Sequence, residues 1–194
     1  MEKANILNIL ISNNTVYSFK EILLSSGENN PALLRRRLYY YIKSGQLYGI
    51  RRGLYSKDKN YNRFELATKI FIPAYVSFET VLSKAGIIFQ HYNQIFVASY
   101  QTKDIVCDEQ VFCFKKLKNN LLHNNSGIES DKNYSIASTA RAFLDVVYLN
   151  KDYHFDNLSP LDWDQIFSLL PMYENKRMIK KVNEYYRNYK FIQN

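Results

Sequence analysis

The sequence predicts an α+β protein in two parts, and three observations predict it. The first is the stretch Asn30–Tyr55, NPALLRRRLYYYIKSGQLYGIRRGLY, which reads as a capped basic helix followed by two short β runs. The second is charge. Up to Asn62 ten Lys and Arg stand against four acids, a net charge of +6, whereas the remainder holds sixteen bases against fourteen acids. The third is a change of pattern after Asn62, to apolar β runs interleaved with amphipathic helices. Together they predict an amino-terminal winged helix-turn-helix over residues 1–62 and a larger mixed α/β domain over residues 63–194.

The first part opens with a short apolar helix, Ala4–Ile11, broken by Ser12-Asn13-Asn14. Val16 and Tyr17 suit a short strand. Ser18 with Glu21 three residues on is a capping box, in which hydroxyl and carboxylate each bond a backbone N–H that the helix start leaves free. Ser25-Ser26-Gly27 ends that helix. Asn30 then caps the next, and Pro31 sits at its first position, where a missing N–H costs nothing. Leu34, Leu38 and Ile42 recur every four residues and define its buried stripe. Gly45 can close it in the left-handed conformation. Gln46–Ile50 and Gly53–Ser56 form a hairpin with Arg51 and Arg52 at its turn. The buried stripe leaves Arg35, Arg36, Arg37, Tyr39, Tyr40 and Lys43 for water or a ligand, so these six and the Arg51–Arg52 pair are the candidate DNA contacts.

Asp58–Asn62 is polar and marks the expected boundary. Beyond it Phe64–Phe71 is helical, with Leu66, Ala67 and Ile70 inward. Pro73 stops it, and Ser77 is placed to cap a helix from Phe78 to Ala85, closed by Gly86. Ile95–Tyr100 and Val111–Lys115 read as strands, and the Asn-, Ser- and Gly-rich Asn119–Asn133 as an exposed loop. Ser135–Leu149 is a helix with Ala137, Ala140, Phe143, Leu144 and Val147 inward. His154–Pro160 is a polar linker, and Leu161–Leu170 a helix bearing the only tryptophan, Trp163. Met172–Phe191 is a basic helix whose tyrosines either dock on the core or, with its lysines and arginines, clasp nucleic acid or an acidic protein surface.

Composition narrows the function. Hydrophobic residues make up 46% of the 194, enough for a core and against wholesale disorder. A net charge of +8 favours polyanionic partners. Two cysteines, Cys107 and Cys113, make no disulfide framework. No run is long and apolar enough to span a bilayer, and the amino terminus lacks a signal-peptide layout, so a reduced cytoplasmic setting is expected. His91, His123 and His154 stand alone, without metal-ligand spacing, and no glycine-rich phosphate loop or nucleophile elbow is present. No metal, cofactor or enzymatic activity is expected. Ser77 and Glu79 do not make a catalytic pair, because a nucleophile needs a base within hydrogen-bond reach.

Three segments taken in order carry a resemblance. They are the wing Arg51-Arg52-Gly53-Leu54-Tyr55, the run Pro73-Ala74-Tyr75-Val76-Ser77-Phe78-Glu79, and the run Ile136–Asp145 with Arg141 and Asp145. The chain from about Val16 to Tyr148 resembles the AbiEi-type antitoxins of bacterial type IV toxin–antitoxin (abortive infection) systems. The resemblance implies a winged helix that binds inverted repeats in double-stranded DNA of its own promoter and represses it, as two protomers on paired half-sites. It also implies a carboxy-terminal domain that counters a nucleotidyltransferase-like toxin without tight binding to it. Tyr75, Ser77, Glu79, Arg141 and Asp145 are then the motif of that second domain. The rival from another class is a regulatory or interaction module whose wing meets protein or RNA. A third reading is a nuclease or nucleotidyltransferase-related enzyme with the winged helix as its targeting device.

Overall fold

The structure, a computed structural model, describes residues 12–131 and 133–193. The helix expected over Ala4–Ile11 lies outside them. The chain is mixed α+β and falls into two compact units divided after Ile70.

In the first unit the order is β1 (Val16–Ser18), α1 (Phe19–Ser26), α2 (Pro31–Lys43), β2 (Tyr48–Arg51), β3 (Leu54–Ser56) and α3 (Arg63–Ile70). The three strands form one antiparallel sheet in the order β1-β3-β2. Local chemistry sets the helix ends. Ser18 Oγ accepts the Glu21 N–H at 3.2 Å, and the Glu21 carboxylate accepts the Ser18 N–H at 2.6 Å. Asn30 Oδ1 accepts the N–H groups of Ala32 and Leu33 at 3.0 and 3.2 Å. Tyr17, Ile22, Leu34, Leu38 and Leu47 make the core, flanked by Phe19, Leu23, Tyr41 and Tyr55. The predicted stripe needs one correction. Ile42 is 38% exposed, because it sits in the last turn of α2, past the core, and lies on Gly49. A Cβ at Gly49 would stand 3.0 Å from Ile42 Cδ1, so a glycine there lets the hairpin close on the helix end.

The boundary also moves. Helix α3 belongs to the first unit, and the polar Asp58–Asn62 stretch is a turn within it. The cause is an ion cluster that composition does not reveal. Glu65, only 1% exposed, accepts the Thr15 N–H at 2.9 Å and the Thr15 hydroxyl at 2.7 Å. Lys69 reaches Glu65 at 3.1 Å, Glu21 at 3.0 Å and the Val16 carbonyl at 2.6 Å. These bonds tie α3 to β1 and α1.

The second unit holds β4 (Ala74–Val76), α4 (Glu79–Lys84), β5 (Ile95–Ser99), β6 (Lys103–Cys107), β7 (Gln110–Lys116), α5 (Asn119–Leu122), β8 (Ile128–Asp131), β9 (Tyr134–Ala137), α6 (Thr139–Leu149), α7 (Trp163–Leu169), a 3-10 turn (Leu170–Tyr173) and α8 (Lys176–Gln193). Its sheet is mixed, in the order β6-β7-β5-β4-β9-β8. The pairs β5–β7 and β4–β9 are parallel and the rest antiparallel. Strand β5, IFVAS, is buried at every position, as a central strand covered on both faces must be. Helix α6 is buried from Ala140 to Val147 and packs on α4, α7 and α8. Phe143 on α6 gathers Phe155, Trp163 and Tyr185 within 6.0 Å. Helix α8 docks through Met178 and Val182, both fully buried, and through Tyr186 and Tyr189 against Trp163 at 5.0 and 5.5 Å.

Three expectations for this unit are corrected. Asn119–Asn133 is not a plain loop, since it contains α5, whose Leu121 and Leu122 are buried, and the edge strand β8. Residues 135–137 are strand β9 rather than the start of a helix, because β4 and β8 claim their backbone groups. Ser77 does not cap α4. Phe78 takes the cap position with φ 57° and no side-chain cap bond. A bulky residue in that region is strained, and Phe78 is held there by complete burial and by Lys115 Nζ 5.0 Å from its ring centre. Among the described residues no helix is long and apolar enough to cross a membrane.

Leu38 has 1% of its surface exposed at the centre of the first unit's core. Leu38→Ala is expected to destabilise that unit by about 2–5 kcal/mol, read from urea denaturation, because the cavity adds to the lost transfer energy.

Candidate functional site

Two features stand out, one in each unit. The first is the outer face of α2 with the turn of the β2–β3 hairpin. Burying Leu34 and Leu38 turns Arg35, Arg36, Tyr39, Tyr40 and Lys43 outward, and all five are exposed. Tyr39 and Tyr40 meet edge to face at 5.8 Å. Lys43 Nζ lies 5.0 Å from the Tyr39 ring centre, and the Arg35 guanidinium 4.6 Å from that of Phe19. These stacking contacts order the side chains and leave their charge uncancelled. Among the described residues no acid pairs with Arg35, Arg36 or Lys43. Arg37 differs. It points back to Glu28, 2.9 Å away, and is committed within the unit. The hairpin turn presents Arg51 and Arg52, both exposed, with Gly53 at φ 83° supplying the left-handed residue that the turn needs. The Gly53 carbonyl accepts the Phe19 N–H at 2.8 Å, which fixes the tip beside the start of α1.

The second feature is a buried polar hub in the second unit. Arg141 and Asp145 lie one turn apart on α6, both with 0% exposure, and Arg141 Nε meets Asp145 Oδ1 at 3.3 Å. Every donor of the guanidinium is placed. Nη1 donates to the carbonyls of Ser126 and Asn124 at 2.8 and 3.3 Å, and Nη2 to the Leu121 carbonyl at 2.8 Å and the Tyr75 hydroxyl at 3.0 Å. The carboxylate is equally full. Tyr173 donates to Oδ1 at 2.6 Å, and Ser77 and Tyr75 donate to Oδ2 at 2.8 and 3.0 Å. Gly127 lets the loop come this close. It has φ 72°, and a Cβ there would stand 3.0 Å from Arg141 Cβ and 2.9 Å from Leu169 Cδ1.

Burial pushes the Asp145 carboxyl up, while Arg141 and the three hydroxyls pull it down. Burial, reinforced by the Asp145 charge, lifts the phenols of Tyr75 and Tyr173 well above their ordinary value. The hub therefore holds one ion pair and its hydroxyl donors, with no lone pair to spare and no exposed atom for a substrate. The Ser77 hydroxyl is spent on Asp145 and meets no general base.

Tyr75, Ser77, Arg141 and Asp145 thus converge, but Glu79 does not join them. Its carboxylate, 5% exposed, is held by Lys115 on β7 at 2.8 and 3.0 Å. Sequence reasoning missed Lys115 and Tyr173, which lie far along the chain from the groups they bind. The four-residue spacing of Arg141 and Asp145 was the one local signal of the pair. Cys107 is buried, and burial pushes the half-buried Cys113 thiol up to about 11, so neither is a ready nucleophile. Among the described residues no three His, Cys, Asp or Glu side chains gather to hold a metal ion. No family model matches the chain, and no curated protein matches it.

Two outcomes are expected of the hub. Asp145→Ala strands a buried guanidinium and should cost about 3–5 kcal/mol in urea denaturation. Raised folded-state phenol pKa values give a contribution that is complete below pH about 10 and lost as the pH climbs past it, because the unfolded chain then releases protons that the folded one keeps. Stability should fall by up to about 1.4 kcal/mol per buried phenol per pH unit above that point. Tyr173→Phe should flatten the fall between pH 9 and 11, followed by thermal denaturation.

Proposed function

We propose that the first unit is a winged helix-turn-helix that binds double-stranded DNA. In this reading α2 enters the major groove and the Arg51–Arg52 turn is the wing on the backbone. The observation that carries it is the face of α2, where Arg35, Arg36 and Lys43 are exposed beside Tyr39 and Tyr40 with no acid paired to them. Elsewhere in the unit a cation is neutralised instead, with Lys69 enclosed by Glu21 and Glu65. Exposed unpaired arginines suit bidentate contact with guanine edges and phosphates, at about 1–3 kcal/mol of discrimination for each good base pair contact. Arg37 serves the fold through Glu28, and Tyr40 and Lys43 flank the reading face.

With the sequence resemblance, this supports reading the protein as an AbiEi-type antitoxin and autorepressor without enzymatic activity. Two protomers occupy inverted repeats in its own promoter. The second unit, organised by Tyr75, Ser77, Arg141 and Asp145, counters a nucleotidyltransferase-like toxin functionally, and Glu79 belongs to a separate ion pair in that unit.

The test is fluorescence anisotropy with a duplex from the chain's own upstream region and a scrambled duplex, across a salt series. Tighter binding to the native duplex is expected, with affinity falling steeply as salt rises. Arg35→Ala with Arg36→Ala should weaken binding at least about tenfold while the melting temperature holds, since neither side chain is buried. Equal binding to both duplexes, or an unaffected double variant, would remove α2 as the recognition helix.

A further inference from the structure

The loop between α6 and α7 lines two concavities of the second unit. On one side Lys151 joins Lys176, Arg177, Lys180 and Lys181 of α8 around a cleft of about 440 Å³. Glu184 is the single acid of that lining, and it is spent with Asp152 on Lys181, each at 3.3 Å. Arg177 donates to the carbonyls of Val147, Tyr148 and Asn150 at 3.0 to 3.3 Å, which fixes its charge at the end of α6. Lys151, Lys176 and Lys180 are exposed, and none is paired with an acid among the described residues. This is not a spill of general positive charge. From Phe71 onward fourteen Lys and Arg face thirteen acids, so the unit is close to neutral, yet five of its cations line this one cleft. A cleft with five cations to one acid in a near-neutral unit concentrates anions.

On the other side of the same loop Tyr153 and His154 join Phe89, Gln90 and Tyr92 around a concavity of about 370 Å³. Phe89 offers its ring to solvent, 68% exposed. Tyr92 is braced edge-on by Phe96 at 5.3 Å, and Tyr153 by the tilted ring of Phe155 at 4.8 Å, so both are pre-set platforms. Asp156 at the rim accepts the Phe89 N–H at 2.8 Å. Lys151 and Tyr153 are two residues apart, at most about 7 Å between their Cα atoms. A cationic cleft and an aromatic slot on one short loop match a chain whose phosphates and bases are both on offer. In duplex DNA the bases are stacked away, so only an unpaired strand presents both.

We infer that the second unit binds single-stranded nucleic acid, its phosphates on Lys151, Lys176 and Lys180 and a base stacked among Phe89, Tyr92 and Tyr153. The site lies wholly in the second unit and does not rest on the duplex reading of the first.

The experiment uses the full chain carrying Arg35→Ala and Arg36→Ala, which silences the α2 face, and a fluorescein-labelled uridine dodecamer followed by anisotropy. Binding is expected in that background. Adding Lys151→Ala, Lys176→Ala and Lys180→Ala removes three exposed, unpaired side chains. It should weaken binding at least about tenfold and reduce the salt slope by about 2, the share of three phosphate contacts on a single strand. Phe89→Ala, at an exposed ring, should weaken it about fivefold or more through lost stacking. The inference is overturned if the dodecamer does not bind, if the three lysine substitutions or Phe89→Ala leave binding unchanged, or if a blunt duplex of the same length competes equally well.

Discussion

The second unit depends on a guanidinium that never meets water. Burying Arg141 and Asp145 would be ruinous for either alone, and together it is tolerable only because each remaining donor and acceptor finds a partner. Those partners come from strand β4, from the Leu121 carbonyl of α5 and the loop carbonyls at 124 and 126, and from the 3-10 turn at Tyr173. One ion pair thereby sets the distance between a sheet strand, a helix and two connections. Gly127 and the displaced cap at Phe78 follow from it, since the loop must come close and Ser77 must turn inward rather than serve α4.

The first unit handles charge in two ways. Its inner cations are enclosed: Lys69 lies among Glu21, Glu65 and a carbonyl, and Arg37 against Glu28. Its outer cations on α2 and at the hairpin turn are left open, and only Arg35 and Lys43 are steadied, by aromatic rings. The contrast is what gives the α2 face its proposed role, because the unit has carboxylates available and spends them elsewhere. The second unit repeats the pattern on α8, where an aromatic stripe on Trp163 anchors a helix whose lysines face outward.

Features that depend on neighbouring residues were legible in the sequence. The Ser18–Glu21 capping box, the Asn30 cap with Pro31, the Leu34–Leu38 stripe and the inward face of Phe143 and Leu144 all lie within a turn or two of their partners. What was hidden depends on distant residues. Glu65 looks like a surface acid until Thr15 and Lys69 enclose it, and that enclosure carries α3 into the first unit. Ser77 has the local look of a cap, and only Asp145, 68 residues on, outbids the helix start for its hydroxyl. Strand β8 has no apolar alternation because it is an edge strand, exposed at Glu129, Ser130 and Asp131, so its polar sequence reads as loop. Nothing local to Tyr75, Ser77, Arg141 and Asp145 signals that they gather in one hub, nor that Glu79 pairs instead with Lys115.

The span of the hub sets an order of assembly. Its members run from Tyr75 to Tyr173, so during synthesis the Asp145 carboxylate lacks the Tyr173 donor until the chain has grown 28 residues past it. The first unit, by contrast, has its core partners in place by Tyr55 and its α3 ties by Lys69, before any of the second unit has been made. The α2 face is thus presented early, and the half that must be synthesised almost in full before it is sound is the one exposed longest to chaperones and proteases.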